Sequence, residues 1–445
     1  MSLAWPAVIE NLSASMVIFI DSAMVGSLGA AATAAVGINA SPTWLVGGIV
    51  MSLGVAATAL SARMTGAGEK EGLTEVAQHT LTAGLLLSVT LMALAMLLAP
   101  QIPRWLNADP AIHQDATSYL RLVFIGSIPN YMGAISAALL RGTGNTKAPM
   151  RATLMSHVVN VTFNFLLIFP TRQLQVLGLQ FVMPGAGLGV RGAAIATAMS
   201  FAASGGYLLY TLFRRESGFN LLGAGLPRHQ LSLYKRMLRI SLPTALERVS
   251  INLGQIVFTG MVAALGTHAL AAHHLTITIE SLGYMPGYGF AVAAATLVGQ
   301  SLGAQQREAA KDYGLRTIRW GVVLMSVMGA VMFLLADWLI ALFTPDPTVR
   351  QIGAMLIRIV AFEQPFSALS IIVPGALRGA GDTTTPFYIA LGSMWGVRIV
   401  LAYVLGSVLN LGVQGIWLAM LSDLAVRGML LLSRFLKGNW QYRRV

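Results

Sequence analysis

The segment LLRGTGNTKAPM at residues 139–150 decides the fold, because a close copy, ALRGAGDTTTPF, occurs 237 residues later at 376–387. Repetition at a fixed distance indicates that a chain is built from related structural units. Three further pairs of segments keep the same shift without a gap: WPAVIENLSAS (5–15) with LPTALERVSIN (242–252), MVGSLGAAATAA (24–35) with MVAALGTHALAA (261–272), and TGAGEKE (65–71) with LGAQQRE (302–308). The chain therefore consists of two related halves.

A last pair of segments shows where the two halves differ in length. GVRGAAIATAMS at 189–200 matches GVQGIWLAMLSD at 412–423, but the shift is now 223 residues. The first half therefore has 14 extra residues, and we place them in the glycine-containing loop 171–188.

Composition places both halves in a membrane. Of the 445 residues, 56% are hydrophobic and only 10% are charged, whereas soluble domains carry about 25% charged residues. Windows of roughly 20 apolar residues predict transmembrane helices. We predict twelve, at residues 3–26, 34–64, 73–100, 113–140, 147–170, 187–213, 238–264, 270–301, 312–340, 349–376, 384–408 and 411–435.

Six predicted spans in each half give the two copies the same orientation. The predicted fold is therefore an all-α integral membrane protein with twelve transmembrane helices in two six-helix bundles. A pseudo-two-fold axis along the membrane normal relates such parallel repeats, and the transport pathway lies between the bundles or inside them. We divide the chain into a first lobe at 1–213, a cytoplasmic linker at 214–237 and a second lobe at 238–445.

Lysine and arginine predict the orientation in the membrane. With the N-terminus in the cytoplasm, 20 of the 29 basic residues fall in cytoplasmic loops or span ends, four fall outside and five lie in spans. Because such a bias sets orientation, we expect both termini in the cytoplasm. The bias also explains the net charge of +12 without a nucleic-acid partner. The chain has no cysteine, which excludes disulfides and thiol chemistry.

Six acidic residues fall well inside predicted spans, where ionisable groups are costly and are usually paired or functional. They are Glu10, Asp21, Glu247, Glu280, Glu363 and Asp423. Glu10 and Glu247 occupy equivalent positions in the repeat, near the cytoplasmic ends of their spans. They are open to two interpretations, as capping or interfacial groups or as functional acids.

The second half contributes the other paired and cavity candidates. Asp423 is expected to pair with Arg427, four residues later on the same helix, or with Arg398 across helices. Glu280 precedes a segment rich in glycine and tyrosine, and Glu363 precedes Gln-Pro. Both are candidates for the lining of a water-filled substrate cavity in this half.

Asp21 has no basic neighbour in the first span, and its repeat counterpart is Phe258. An ionised carboxylate at the centre of a span costs roughly 2.5–3.5 kcal/mol on insertion scales. The acid therefore belongs to the first half alone and needs its own explanation. It is either a neutral carboxyl group hydrogen-bonded to a neighbouring helix or a site that gains and loses a proton.

Polar residues on two other spans are candidate partners of Asp21. Asn160 and Asn164 lie four residues apart, so they share one face of the fifth span, and Thr197 lies on the sixth. Amides facing lipid would lack hydrogen-bond partners, so we expect them to face Asp21, or else only to join helices by hydrogen bonds. On the fourth span, Tyr119 and Tyr131 are candidate substrate-facing aromatics.

No set of residues indicates an enzyme, a metal site or a cofactor. The glycine turn at 142–145 follows no strand and occurs again at 379–382, unlike a phosphate-binding loop. The histidines at 273–274 are adjacent, so one helix face does not present both to a metal ion.

The two six-span repeats, the LRGTGNTKAP and LRGAGDTTTP turns after spans four and ten, and the acid in span one resemble the multidrug and toxic compound extrusion (MATE) transporters, most closely the DinF-like prokaryotic branch. The resemblance implies a V-shaped pair of lobes that exports organic cations or hydrophobic drugs in exchange for H+ or Na+. It assigns the proton and substrate switch to Asp21 and a helix kink to Pro6. It assigns polar partner roles to Asn160, Asn164 and Thr197.

Two positions depart from, or only loosely follow, the pattern of the family. Some relatives carry a second Asp where this chain has Asn164, and the loss of that charge favours H+ over Na+ as the coupling ion. Glu363 corresponds loosely to an acid of the second lobe in the NorM-like branch.

From these features we expect a monomeric exporter of the prokaryotic cytoplasmic membrane, surrounded by lipid, that binds small organic cations and needs no cofactor beyond the coupling ion. Two alternatives stay open. A lipid-linked oligosaccharide flippase of the same superfamily would have a lipid-width groove lined with arginines, and a receptor or scaffold would not transport at all.

Overall fold

The computed structural model describes residues 3–106, 108–176, 179–214, 217–223, 225 and 230–443. The first half is helical apart from one hairpin. Its elements are α1 (Ala4–Gly26), α2 (Ala30–Gly37), α3 (Ala40–Ala67), α4 (Lys70–Leu98), α5 (Ile102–Trp105), α6 (His113–Ile125), α7 (Ser127–Gly142), α8 (Lys147–Leu167), β1 (Pro170–Val176), β2 (Leu179–Ala186) and α9 (Gly189–Phe213).

The second half repeats this order of long helices without the hairpin. Its helices are α10 (Leu231–Ala263), α11 (Thr267–Gly303), α12 (Arg307–Leu334), α13 (Ala336–Ala341), α14 (Pro347–Gly379), α15 (Thr384–Ser393), α16 (Val400–Tyr403) and α17 (Gly412–Leu436). Two π-helical segments, Met394–Ile399 and Val404–Val408, continue the rod that α15 begins.

In the described residues these helices form twelve long rods, six in each half, at the places that hydropathy predicts. Among the described residues, seven helices are long and apolar enough to cross a membrane by that test alone, and a bent pair would make eight. The others, α1, α8, α10 and α11, are 23, 21, 33 and 37 residues long. The prediction of an all-α protein with two six-helix bundles is confirmed.

The bent pair is α6 and α7, which meet at 44° around Gly126. A Cβ atom at this glycine would lie 2.6 Å from the Cα of Ala198 in α9. The fourth span therefore needs glycine at its bend, because the backbone of α9 passes directly against it.

The extra residues of the first half form a β-hairpin, and the prediction of a plain loop at 171–188 was wrong in this respect. Strands β1 and β2 pair antiparallel, with Gln173 opposite Val182 and Gln175 opposite Gln180. Polar and apolar residues alternate in RQLQV at 172–176, which is the period of a strand. The glycines of the segment obscured this signal.

Each half has a buried core, but two helices cross between the halves. In the first-half core, Leu60 and Leu73 pack in one cluster with Leu233 and Met237 of α10. Helix α10 begins at Leu231, inside the segment 214–237 that we assigned to the linker. The division of the chain into lobes stays a prediction, and the structure adds that the start of α10 packs on the first half.

The N-terminal turns of α1 make the opposite crossing. Ala4 and Val8 pack with Phe290 and Ala294 of α11 in a cluster of the second half. The beginning of the first long helix of each half therefore packs in the core of the other half.

The two halves also meet through a symmetric backbone contact. A Cβ atom on Gly66 would lie 1.9 Å from the carbonyl oxygen of Gln300, and a Cβ atom on Gly303 would lie 2.1 Å from that of Arg63. Both contacts join residues related by the shift of 237, so the pseudo-two-fold axis passes between them. We call the side of the molecule with these contacts the closed end.

Hydrogen bonds between the halves reinforce the closed end. Gln300 Nε2 donates to the carbonyl of Gly142 at 2.8 Å, and Thr296 Oγ1 donates to that of Arg141 at 2.9 Å. Arg63 Nη2 donates to the carbonyl of Arg443, near the C-terminus, at 2.8 Å. These bonds hold the two bundles together at one side of the membrane region.

Candidate functional site

Asp21 lies inside the first bundle with the two amides that the sequence assigns to it. Asn164 Nδ2 donates to Asp21 Oδ1 at 2.6 Å and to Asn160 Oδ1 at 3.0 Å. Asn160 and Asn164 are buried, whereas Asp21 is partly exposed. The helical spacing of the two asparagines makes this chain of hydrogen bonds. The geometry suits both interpretations of Asp21, a neutral hydrogen-bonded carboxyl group and a titrating one.

Tyr119 and Thr197 complete this polar cluster. The Tyr119 side chain lies close to both Thr197 and Asp21, while its ring packs beside Met24 and Val25 of α1. Thr197 Oγ1 also bonds to the carbonyl of Ala193 at 2.9 Å. Thr197 therefore joins Asp21 through Tyr119 rather than by direct contact.

Helices α1 and α8 share a second polar layer, closer to the closed end. Arg141 Nη2 binds Glu10 Oε1 at 2.5 Å, and Thr153 Oγ1 of α8 lies 3.5 Å from the same oxygen. Glu10 precedes Asp21 by eleven residues, as Thr153 precedes Asn164, so α1 and α8 run parallel and in register. The two layers lie about 16 Å apart along the helices.

The second half contains a copy of this ion pair. Arg378 Nη2 contacts both carboxylate oxygens of Glu247 at 2.8 Å, and both residues are related to Arg141 and Glu10 by the shift of 237. Both acids lie inside their helices, so they do not cap helix ends, while an interfacial position of these ion pairs stays a prediction. The sequence contained the signal, because acid and base return together in the repeat.

A cavity of about 890 Å³ lies between the two halves, and we call it the inter-lobe cavity. Both ion pairs line it, and so do Glu280 and Glu363, the candidates for a cavity in the second half. The carboxyl group of Glu363 is fully buried and lies within hydrogen-bonding reach of Glu280. Ser367 Oγ donates to Glu363 Oε1 at 3.1 Å.

The aromatic wall of the inter-lobe cavity comes from α11. Tyr284 and Tyr288 line it, with ring centroids 6.0 Å apart in an edge-to-face arrangement. Tyr131, by contrast, is 5% exposed and packs in the first-half core. The structure thus places Tyr131 away from this cavity, and sequence analysis did not select the two tyrosines of α11.

Pro6 lies in the first turn of α1, as the structure describes this helix. A proline there removes no hydrogen bond within the helix, because the first N–H groups have no intrahelical partner. Interior prolines occur instead at Pro243 in α10, at Pro286 in α11, and at Pro365 and Pro374 in α14. The kink at Pro6 therefore stays a prediction from the family.

Asp423 forms a buried network that confirms both predicted partners. Arg398 Nε binds Asp423 Oδ2 at 2.7 Å and Arg427 Nη2 binds it at 2.9 Å. Ser393 Oγ donates to Asp423 Oδ1 and accepts from Arg427 Nε at 2.9 Å. The carboxylate is fully buried, so two arginines share one anion between α17 and the neighbouring rod.

We expect Asp423→Asn to destabilise the protein by about 3–5 kcal/mol, because it leaves two buried guanidinium groups without a counter-charge. The thermal unfolding midpoint in detergent measures this loss. Asp337→Asn is the matched control, since Asp337 pairs with Arg358 but is 75% exposed, and exposed pairs contribute about 1 kcal/mol or less. Equal midpoints for the two variants would contradict the structural role of Asp423.

The second half has no copy of the Asp21 site. Phe258 occupies the position equivalent to Asp21, is fully buried and lies 5.6 Å from the Arg398 guanidinium in a cation–π contact. The positions equivalent to Asn160 and Asn164 are Val397 and Leu401. The two bundles thus share a fold but differ chemically at this level.

Comparison with known proteins agrees with this geometry. The MatE family model matches residues 6–166 and 243–404, once in each half. A "Probable multidrug resistance protein NorM" from Thermotoga maritima is 32% identical over 100% of this chain and 93% of its own length. The "Uncharacterized transporter YisQ" of Bacillus subtilis is 26% identical over 99% of this chain and 94% of its own length.

Solved structures share the fold at lower identity. The "Outward-facing conformation of a multidrug resistance MATE family transporter of the MOP superfamily" superposes with a TM-score of 0.87 at 22% identity, covering 98% of this chain and 94% of that one. A MOP superfamily transporter from Pyrococcus furiosus gives 0.89 at 21% identity, covering 100% and 96%. The assignment to the DinF-like branch stays a prediction. The family-model match to both halves and the full-length relatives show that the chain is a member of the MATE family of membrane transporters.

Proposed function

We propose that the chain exports organic cations and hydrophobic drugs across the prokaryotic cytoplasmic membrane in exchange for H+, by alternating access. The name of the Thermotoga maritima relative supports drugs as substrates. A large cavity with an aromatic wall supports the binding of such compounds. The observation that carries the coupling mechanism is the Asp21 carboxylate, held by Asn164 in an otherwise apolar stretch of α1.

The positive-inside bias supports a cytoplasmic position for the closed end. Lys70, Lys147, Arg307 and Lys311 lie in helices that begin at this end, and basic residues collect on the cytoplasmic side of membrane proteins. The structure then corresponds to an outward-open state with both termini in the cytoplasm.

Helix α1 is the proposed link between proton and drug. Asp21 does not line the inter-lobe cavity in the described part of the chain, but Glu10 on the same helix does. In the outward-open state Asp21 takes a proton, and a shift of α1 then changes the Glu10–Arg141 layer and releases the cation. In the inward-open state Asp21 loses the proton and affinity returns. Each ligand shifts the two-state equilibrium only by its differential affinity.

Separate ion gradients test the coupling ion in proteoliposomes loaded with a fluorescent organic cation. A proton gradient without sodium should drive dye movement, and a protonophore should stop it. A sodium gradient at equal pH on both sides should drive none, because the Asp21 cluster contains a single carboxylate among amides and hydroxyls. Dye movement driven by sodium alone would overturn H+ coupling, and no movement under either gradient would favour a receptor or scaffold.

The flippase alternative predicts a groove lined with arginines. Five arginines do line the inter-lobe cavity, but four of them bind acids: Arg141, Arg378, Arg398 and Arg427. Because three acids, Glu10, Glu247 and Asp423, already bind these four guanidinium groups, the cavity favours small amphiphiles over a polyanionic lipid headgroup.

A further inference from the structure

Arg248 is the exception among the arginines of the inter-lobe cavity. In the part of the chain that the structure describes, it forms no salt bridge and no hydrogen bond. Its sequence neighbour Glu247 already binds Arg378, which contacts both carboxylate oxygens. The cavity therefore contains one guanidinium group whose donors are available to a ligand.

The position of Arg248 makes this group accessible. It lies within α10, five residues after Pro243, and its side chain is exposed to the cavity. The side chain extends towards the first half, since a Cβ atom on Gly48 of α3 would lie 3.8 Å from Arg248 Cδ. The repeat counterpart is Asn11, which also lines the cavity but is neutral. The cation is thus a feature of the second half alone.

The surroundings of Arg248 suit an aromatic acid. Tyr288 lies close enough to interact electrostatically with the guanidinium group, and Tyr284 continues the aromatic wall towards Glu280. A guanidinium group binds a carboxylate through two parallel hydrogen bonds. The same cavity therefore offers a cation at one place and a pair of carboxyl groups at another.

We propose that Arg248 forms an anion subsite of the inter-lobe cavity, and that this subsite admits aromatic zwitterions, with their carboxylate on Arg248 and their cationic end towards Glu280 and Glu363. The inference rests on the proposed export of small amphiphiles and names a second charge class among them. Arg248 is a specificity-determining residue in this scheme and takes no part in proton coupling.

A matched pair of dyes tests the subsite: a rhodamine with a free benzoate carboxylate, which is a zwitterion, and its methyl ester, which is a cation. Binding to the purified full-length chain in lipid nanodiscs is measured by fluorescence anisotropy. Arg248→Gln should weaken binding of the free acid by about tenfold or more, the loss expected for a charge-assisted hydrogen bond. Binding of the ester should stay the same or tighten.

Two further variants separate the subsite from general damage. Arg248→Lys should retain part of the affinity for the free acid, because lysine keeps the charge but not the two parallel hydrogen bonds. Arg316→Gln is the control, since Arg316 forms an exposed pair with Asp312 and lies outside the cavity lining. It should change neither dye.

Equal loss of both dyes in Arg248→Gln, or no loss of the free acid, would overturn the anion subsite. If the wild type exports the ester while Arg248 has no effect on the acid, only this inference fails. If the wild type binds and exports neither dye, the proposed function itself fails.

Discussion

Asp21→Asn is expected to abolish drug-driven proton exchange while leaving expression and folding intact. The substitution removes the only side chain of the described Asp21 cluster that carries a carboxylate. It keeps an oxygen that can still accept the 2.6 Å hydrogen bond from Asn164, so the packing of α1 against α8 should survive. Exchange is measured in proteoliposomes by a pH-sensitive dye inside the vesicles, after addition of an organic cation.

Two measurements distinguish a coupling role of Asp21 from a structural one. Wild-type protein should release a bound fluorescent cation as pH falls, because protonation removes the negative charge at Asp21. In Asp21→Asn, which resembles the protonated state, binding should be weaker and independent of pH over the same range. Asp115→Asn, at an exposed acid of α6, should behave as wild type in both assays. Full exchange by Asp21→Asn would remove this residue from the mechanism.

Hydropathy and the repeat predicted the twelve spans because a bilayer imposes a local requirement, roughly 20 apolar residues in a row. Local sequence patterns could not identify the ion-pair partner of Glu10, because Arg141 is 131 residues away in the chain. Arg141 lies at the end of a predicted span, where a basic residue predicts only the orientation in the membrane. The structure shows that it does more, because it neutralises a buried acid and lines the cavity.

The candidate site was predicted best where polar residues stand out in an apolar helix. The structure contains the expected cluster of Asp21, Asn160 and Asn164. Amide and carboxyl groups that face lipid lack hydrogen-bond partners, so they form hydrogen bonds with one another inside the bundle. Aromatic residues give no such signal, since a tyrosine suits a core as well as a cavity. Tyr131 and Tyr288 differ in this way, and only the packing of α7 and α11 decides between the two environments.

Gly66→Ala is expected to reduce transport by about fivefold or more, by preventing the two halves from meeting at the closed end. The new methyl group would overlap the backbone of Gln300, whose carbonyl oxygen would lie 1.9 Å from it. Overpacking of this kind costs roughly 1–3 kcal/mol, a factor of about 5 to 150 in the balance between two conformations. Helix propensity acts in the opposite direction, since alanine stabilises a helix relative to glycine. A loss of transport would thus reflect the contact between the halves.

Because the chain has no cysteine, labelling of a single introduced cysteine can report on which side of the membrane the cavity is open. Asn252 lines the inter-lobe cavity and is exposed to it, so Asn252→Cys, once shown to transport, reports access to the cavity through a membrane-impermeant maleimide. In vesicles, Gly66→Ala should lower labelling from the open side and raise it from the side of the closed end.

Two companion substitutions make the argument specific to the pseudo-two-fold contact. Gly303→Ala should reproduce the effect of Gly66→Ala, because its methyl group would meet the Arg63 carbonyl in the equivalent contact of the other half. Gly47 lies in the same helix as Gly66, and a Cβ atom added there would have nothing within 4 Å. Gly47→Ala should therefore leave transport and labelling unchanged. If Gly66→Ala and Gly303→Ala matched Gly47→Ala in both assays, contact between the bundles at this end would not be required for the transport cycle. Transport would then have to proceed without the alternating access that we propose.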